Sequence, residues 1–599
     1  MSSKLSKLRE RINISLFDSK ERVIHILRII SLSLMLFVIG GVVYFYGFPK
    51  TEASIRFNTI LVRSSLVYFL IRFLILLFYD FHPKRFIKER WAEGIILLLF
   101  FTDAVAPIFF DDLLFSQRLK MFVSSHSLLI FQVYFLIIAL WELRLTAPRI
   151  SALNVGPAKL LVLSFIVLIL GGTGLLMLPE MTVNHNIRFL DALFTATSAS
   201  CVTGLTVVDT GTFFSLKGQV IILLLIQLGG INIISFAAFF AILSKKMGGL
   251  KYQSILKDLL SAEQLSDTRS LLRNILKWTI YIEVVGGVLL YFSWAKIPFD
   301  SQGERIFSSV FHSISAFNNA GFSLFSDNLY QIGIQNMVAF QLIIAVLVIT
   351  GGIGFFVLQD IFGVSKIRER FRFRWKEYSV MTRVSIRMTM ILLITGTIAF
   401  FFLEQETSMA NKDVGDQLLT AFFQSVSTRT AGFNTVDMSL LSTPVLMLFM
   451  LLMFIGAGSG STGGGIKITT FAVAIKASIA TIRGKNYVDF FKRTIPYSIV
   501  NRAYSIILFA LAIISISIFM LSIAEPNIDF IKLAFEEFSA FATVGLSTGI
   551  TPELNDFSKA VIISSMFVGR VGVLSIAMIL SHRVVSRNYQ YAKEAVMVG

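Results

Sequence analysis

Apolar residues gather along this chain in long blocks separated by polar stretches. Twelve blocks are long enough to be membrane-crossing helices: about 24–46, 59–79, 93–110, 127–143, 159–178, 218–243, 275–295, 332–359, 384–403, 438–475, 503–524 and 560–581. A helix needs about 20 apolar residues to cross the hydrocarbon core of a bilayer. The last eight blocks form four pairs. Each pair encloses a segment of moderate polarity, at 179–217, 296–331, 404–437 and 525–559. Each enclosed segment contains a short helical stretch, Leu190 to Ser200 in the first, which is too short to span and so enters part-way and stops.

The enclosed segments are copies of one another. Aligned on a glycine they read ALFTATSASCVTG, SVFHSISAFNNAG, TAFFQSVSTRTAG and LAFEEFSAFATVG. The terminal glycines are Gly204, Gly321, Gly432 and Gly545, spaced 117, 111 and 113 residues apart. Ten residues before them stand Phe194, Phe311, Phe422 and Phe535; six before, Ser198, Ser315, Val426 and Ser539; five before, Ala199, Ala316, Ser427 and Ala540. A near-constant period of this kind marks an internal repeat. The predicted fold is an all-α membrane protein with four pseudo-symmetric helix–pore-loop–helix repeats around one central pore. The repeats fall at 155–243, 275–362, 384–480 and 501–585, and a four-helix membrane extension precedes them at 1–150.

Composition strengthens the membrane reading: 55% of the 599 residues are hydrophobic, 15% are charged, and the mean hydropathy is +0.75. Soluble domains carry nearer ~25% charged residues. The net charge of +17 raises nucleic acid as a partner, but the basic residues sit between apolar blocks. Linkers 244–277, 364–387 and 476–502 hold seven, eight and six Lys or Arg, against two in each enclosed segment. The positive-inside rule puts those linkers and both chain ends in the cytoplasm, and the enclosed segments outside. The first apolar block is too long for a signal-peptide core and reads as a retained helix. Cys201, the single cysteine, excludes an intramolecular disulfide. The six histidines are scattered, with no HExxH, CxxC or calcium-loop pattern. Nor is there a convergent set of His, Cys and carboxylates for an enzyme, so no catalytic residues and no cofactor are expected.

Non-helical backbone at membrane depth survives only where it is buried in protein or lines a water-filled cavity. A short helix that stops mid-membrane points the negative end of its dipole at whatever lies beyond. Four extended strands returning outward around an axis would present rings of carbonyl oxygens, which can replace the water shell of a potassium ion. Glycine suits this place because it tolerates positive φ and adds no side chain. The candidate filter is therefore Val202, Thr203 and Gly204; Asn319, Ala320 and Gly321; Thr430, Ala431 and Gly432; and Thr543, Val544 and Gly545. None of the four residues before any of these glycines is a carboxylate, so a charge ring is not expected.

The block at 438–475 is interrupted by Gly456, Gly458, Gly460, Gly463, Gly464 and Gly465. Each glycine weakens a helix by about 1 kcal/mol, so the middle should unwind. Broken helices at mid-membrane mark transport sites, and this one is predicted to form an intramembrane loop that blocks or clears the path. GSGSTG at 458–463 satisfies a dinucleotide fingerprint but lacks its βαβ context, and Lys467 comes too late for a P-loop. Arg570 lies in an otherwise uncharged run, Ala560 to Ser581. A cation at that depth needs a partner or a role, and it is predicted to hold the glycine-rich loop through its carbonyls. Glu283, the only charge in 278–295, is expected to be paired structurally. The glycines in LGGINIISFA and TGGIGFFVLQ (Gly229, Gly230, Gly351, Gly352) read as close helix packing.

VTGL, NNAGFS, STRTAGFNT and ATVGLST, together with GAGSGSTGGGIK, resemble the membrane subunit of the Trk/Ktr/HKT potassium transporter superfamily, most closely the bacterial Trk and Ktr translocating subunits. The resemblance covers about 155–585. It implies one pore per chain, a critical glycine in each loop at Gly204, Gly321, Gly432 and Gly545, and potassium uptake across the plasma membrane. Glycine at 204, where some relatives have serine, implies potassium preference. It also implies a homodimer and a separate nucleotide-binding regulatory subunit on the cytoplasmic face. A sodium- or proton-coupled symporter, a less selective potassium/sodium channel, and a sensor without flux remain alternatives. The extension at 1–150 is longer than in these relatives. Its Arg63 and Arg72 stand nine apart, which does not make a voltage-sensor series.

Overall fold

The computed structural model describes residues 2–80, 83–88, 157–247 and 268–580, apart from scattered single positions. It divides into two units, Met1–Asn154 and Val155–Gly599.

In the first unit, helix α1 (Ser2–Gly47) is followed by α2 (Glu52–Phe78). No Gly or Pro precedes Gly40, so α1 starts well before the apolar block at 24. Thr51 caps α2 with a reciprocal hydrogen bond to Ser54. The two helices are pinned by Tyr68, whose hydroxyl donates to the Leu27 carbonyl at 2.9 Å. The blocks predicted at 93–110 and 127–143 lie outside the described residues.

The second unit repeats one plan four times: a long helix, a short helix, a loop and a second helix. The first copy comprises α3 (Pro157–Leu176), α4 (Phe189–Cys201) and α5 (Leu216–Met247). The second has α6 (Thr268–Ser293), α7 (Gln302–Phe317), α8 (Val338–Ile353) and α9 (Phe355–Phe362). After the connecting α10 (Val364–Arg372), the third has α11 (Val380–Glu404), α12 (Val414–Ser427), α13 (Thr443–Phe454) and α14 (Ile468–Ile482). The fourth has α15 (Tyr497–Ala524), α16 (Phe530–Ala542), α17 (Asp556–Val571) and α18 (Val573–Leu580). At 1.5 Å per residue, the 13-residue α4 and α16 reach ~20 Å, short of the ~30 Å core.

Two blocks expected to be continuous are bent. The axis turns 100° between α8 and α9, and 95° between α17 and α18. The hinge residues are Gly354 at φ +104° and Gly572 at φ +91°, a backbone region that opposes any L side chain. Among the described residues five helices are individually long and apolar enough to cross a membrane, or seven with each bent pair as one span. Their outer faces are greasy: Leu508, Phe519 and Ile523 on α15, and Ile391, Ile394 and Phe402 on α11, are all more than half exposed. Such continuous apolar faces are stable against lipid and not against water. The chain is a multi-pass membrane protein.

The fourth copy closes onto the first. Lys559 of α17 pairs with Asp191 of α4 at 2.9 Å, both nearly buried, and Arg188 grips Asp556 with two bonds of 2.7 and 3.0 Å. Two of the basic linkers meet as well. Val488–Phe490 and Arg493–Ile495 pair as an antiparallel hairpin (β1 and β2). Phe491 in its turn lies under the guanidinium groups of Arg383 and Arg387, at 4.7 and 4.5 Å.

Candidate ion pathway

The short helices α4, α7, α12 and α16 all end on the same backbone figure. Two residues before each aligned glycine, Val202, Asn319, Thr430 and Thr543 take left-handed φ values of +58°, +58°, +71° and +51°. The next residue returns to ordinary φ, and the glycine is positive again, at +94°, +68°, +78° and +95°. A left-handed β-branched residue is strained by about 1–2 kcal/mol, and such strain concentrates at functional sites. Alternating handedness turns successive carbonyls toward one side of the strand.

The four strands close on one another in a ring. A methyl placed on Gly204 would lie 2.5 Å from the Ala320 oxygen and 3.0 Å from Cα of Gly321. One on Gly321 would meet the Ala431 oxygen at 2.8 Å, one on Gly432 the Val544 oxygen at 2.3 Å, and one on Gly545 the Thr203 oxygen at 2.1 Å. Each glycine thus abuts the next copy, and the fourth returns to the first. No side chain fits at any of the four positions. The Asn328 amide reaches the carbonyls of Gly432 and Gly321, at 3.2 and 3.5 Å.

Copy three carries one residue fewer between its anchoring serine and the ring glycine. In the other copies the amide before the glycine donates to a carbonyl five residues back: Thr203 to Ser198, Ala320 to Ser315, and Val544 to Ser539 (2.7–2.8 Å). In copy three Ala431 donates to Ser427, four residues back, at 3.0 Å. Ser427 plays the part of Ser315, since their hydroxyls donate to the carbonyls of Phe433 and Phe322. The phenylalanine matching Phe194, Phe311 and Phe535 is therefore Phe423, which is buried, and not Phe422, which is only half-buried. An ungapped alignment conceals this because residues 422 and 423 are both Phe.

The glycines of the second helices meet the ends of the short ones. A methyl on Gly229, Gly351 or Gly569 would strike the carbonyl oxygen of Ser200, Phe317 or Phe541, at 2.0, 1.9 and 1.7 Å. Those carbonyls stand at one shared position, four residues before the ring glycine. One on Gly230 would strike the Asn318 side chain at 2.0 Å, while Gly352 faces Asn319 at 3.2 Å. These are packing contacts, with the helix ends held as close as glycine permits.

The glycine-rich segment fills the gap between Phe454 and Ile468, where helix is interrupted. It is laced to the bend of the second copy: Gly458 N donates to the Gly352 carbonyl at 2.8 Å, and Phe355 N to the Gly460 carbonyl at 2.9 Å. It also presses on the ring, since methyls on Gly463 and Gly464 would lie 2.1 and 2.2 Å from the hydroxyls of Thr430 and Thr543. Gly456 faces the Gly464 carbonyl, and Gly465 (φ +66°) lies against Gly456 and Ala542. Arg570, almost wholly buried, joins three copies: one guanidinium nitrogen donates to the Thr462 carbonyl and the other to the Gly229 carbonyl at 2.8 Å. Lys467 is a second cation on this segment, donating to the Gly463 carbonyl at 2.6 Å. Sequence reading missed its role, although it is the only charge in the block at 438–475. Glu283 is paired: its carboxylate accepts from Gln227 at 3.1 Å and from Asn318 at 3.0 Å.

With this geometry in hand, similarity to known proteins is decisive. The profile of the TrkH family, described as "Cation transport protein", matches residues 127–590. The chain belongs to the TrkH family. Among relatives of this TrkH-family chain, Ktr system potassium uptake protein B of Vibrio alginolyticus is 39% identical over 446 residues, covering 74% of this chain and 95% of the relative. The protein of that name from Bacillus subtilis is 40% identical over 422 residues, 70% and 92% of the two chains. Potassium/sodium uptake protein NtpJ of Enterococcus hirae is 36% identical over 453 residues, 74% and 98%. The crystal structure of the potassium transporter TrkH from Vibrio parahaemolyticus superposes with a TM-score of 0.60 at 18% identity, covering 75% of this chain and 91% of that one, which speaks to the fold alone. TrkH-family membership makes the chain a transporter and not an enzyme.

Proposed function

We propose that this chain takes up potassium ions across the plasma membrane through the ring formed by Gly204, Gly321, Gly432 and Gly545. The observation that carries the reading is the closure of that ring, with a backbone carbonyl at every junction and no room for a side chain on any of its four glycines. Carbonyl dipoles can replace the hydration shell of a potassium ion without a fixed negative charge, and the four short-helix dipoles add to the negative potential. The relatives named as potassium uptake proteins support the choice of ion. Residues 456–465 act as the gate, with Arg570 holding it shut through the Thr462 carbonyl. The basic linkers and both chain ends face the cytoplasm, where a separate nucleotide-binding regulatory subunit docks on a homodimer. No cofactor takes part.

A second reading is a less selective potassium/sodium path, favoured by the 36% identity to a protein named for both ions. Rubidium uptake into proteoliposomes, with sodium as competitor, separates the two. The proposal expects rubidium flux that potassium suppresses and equal sodium does not. Equal suppression by both ions supports the second reading, and absence of flux in a folded, reconstituted protein removes both.

A further inference from the structure

Three of the four short helices tie themselves to the strand on the far side of the ring glycine, each with different chemistry. In copy two, His312 Nε2 meets Ser323 Oγ at 3.1 Å while its Nδ1 faces the Ser308 carbonyl at 2.7 Å. Since a carbonyl only accepts, Nδ1 carries the proton, and in the neutral ring Ser323 donates to Nε2. In copy three, Gln424 Nε2 donates to Thr435 Oγ1 at 3.2 Å. In copy four, the Thr551 hydroxyl donates to Glu536, and Thr551 and Ser547 share a 2.9 Å bond. Once the one-residue shift of copy three is applied, His312, Gln424 and Glu536 occupy one structural position. All three are fully buried. In copy one the position is Thr195, which bonds back to Asp191 of its own helix at 2.9 Å.

Each bond joins the short helix to chain beyond the ring glycine, so it ties together the two ends of the ring strand as a strut braces an arch. A carbonyl cage discriminates between ions of different size only if the cage resists collapsing onto the smaller one. Buried hydrogen bonds in a low-dielectric surrounding are strong and resist such collapse. We infer that His312, Gln424 and Glu536 are positioning residues that set ion selectivity by bracing the carbonyl ring, and that copy one is its unbraced side. This rests on the filter reading above.

The test uses the full chain in proteoliposomes, with rubidium and sodium uptake measured side by side and reconstituted protein quantified. Gln424→Leu and Glu536→Ala should each lower the rubidium-to-sodium ratio by about tenfold, the size of one buried hydrogen bond to a polar or charged partner. Glu536→Gln, which still accepts from Thr551, should keep the wild-type ratio. Thr195→Val, on the unbraced copy, should leave it unchanged. Thr435→Val offers the same loss as Gln424→Leu from the other end of the bond, and the double variant should be no worse than either single one. Wild-type selectivity in both Gln424→Leu and Thr435→Val overturns the inference. So does a loss in Glu536→Gln as large as in Glu536→Ala, because charge and not bracing would then be the cause. A Gly432→Ala control separates this from the filter reading: if it too leaves the ratio untouched, the filter reading fails; if it alone changes the ratio, only the bracing inference falls.

Discussion

Copies one and three descend from the same plan, yet their second helices differ. Helix α5 of copy one runs unbroken for 32 residues. In copy three the equivalent helix stops at Phe454 and resumes at Ile468, with six glycines packed between. Copies two and four stand between these extremes, each bent once at a single left-handed glycine. A mobile element needs backbone that is not locked into helix, and a rigid cage needs backbone that is. A repeat protein can have both by breaking one copy and leaving another whole. The bent second copy supplies the docking edge: the carbonyls of Gly351 and Gly352, just before the hinge at Gly354, accept hydrogen bonds from the broken copy.

The comparison can be broken most severely at the ring. Gly432→Val puts a branched side chain where a methyl would already lie 2.3 Å from the Val544 oxygen. Rubidium uptake should fall by about a hundredfold or more, since displacing reacting or coordinating atoms by an ångström has effects of that order. Next comes the clamp. Arg570→Gln loses the charge-assisted bonds to Thr462 and Gly229, and uptake without any regulatory subunit should rise by about tenfold. Hydrogen exchange of 456–465 should accelerate in the same variant. Unchanged flux and exchange would make Arg570 a structural pairing only.

Two smaller effects sharpen the picture. Phe423→Ala should destabilise the protein by about 3 kcal/mol in detergent and Phe422→Ala by about 1 kcal/mol, because only the former empties a fully packed site. The reverse order would contradict the one-residue shift in copy three. Gly572→Ala should lower stability by about 1 kcal/mol through its left-handed φ alone, because the position where the methyl would stand is open space beyond its own chain neighbours. Thermal unfolding in micelles reads both.

The meeting of the four glycines was legible in the sequence because four copies in register say more than any one motif. The helix break at 455–467 was legible for a similar reason: six glycines overwhelm helix propensity. The bends were not. Gly354 and Gly572 each sit within a few residues of another glycine, and composition cannot tell a hinge from a packing contact; here Gly351 is packing and Gly354 is hinge. The shift in copy three was hidden by the repeated phenylalanine. The struts were hidden for a deeper reason. Their partners Ser323, Thr435 and Thr551 lie two, three and six residues beyond the ring glycine, so no fixed spacing announces them. Polar residues of three different types at one position look like drift until the hydrogen bonds are seen.

The central claim is that one ion path threads the four loops. Anomalous scattering from crystals of the full chain soaked in rubidium tests it most directly. A rubidium peak inside the ring, within coordinating distance of carbonyl oxygens from all four loops, is the predicted result. A well-ordered ring without any such peak, alongside strong rubidium peaks elsewhere in the membrane-spanning part, would contradict the account.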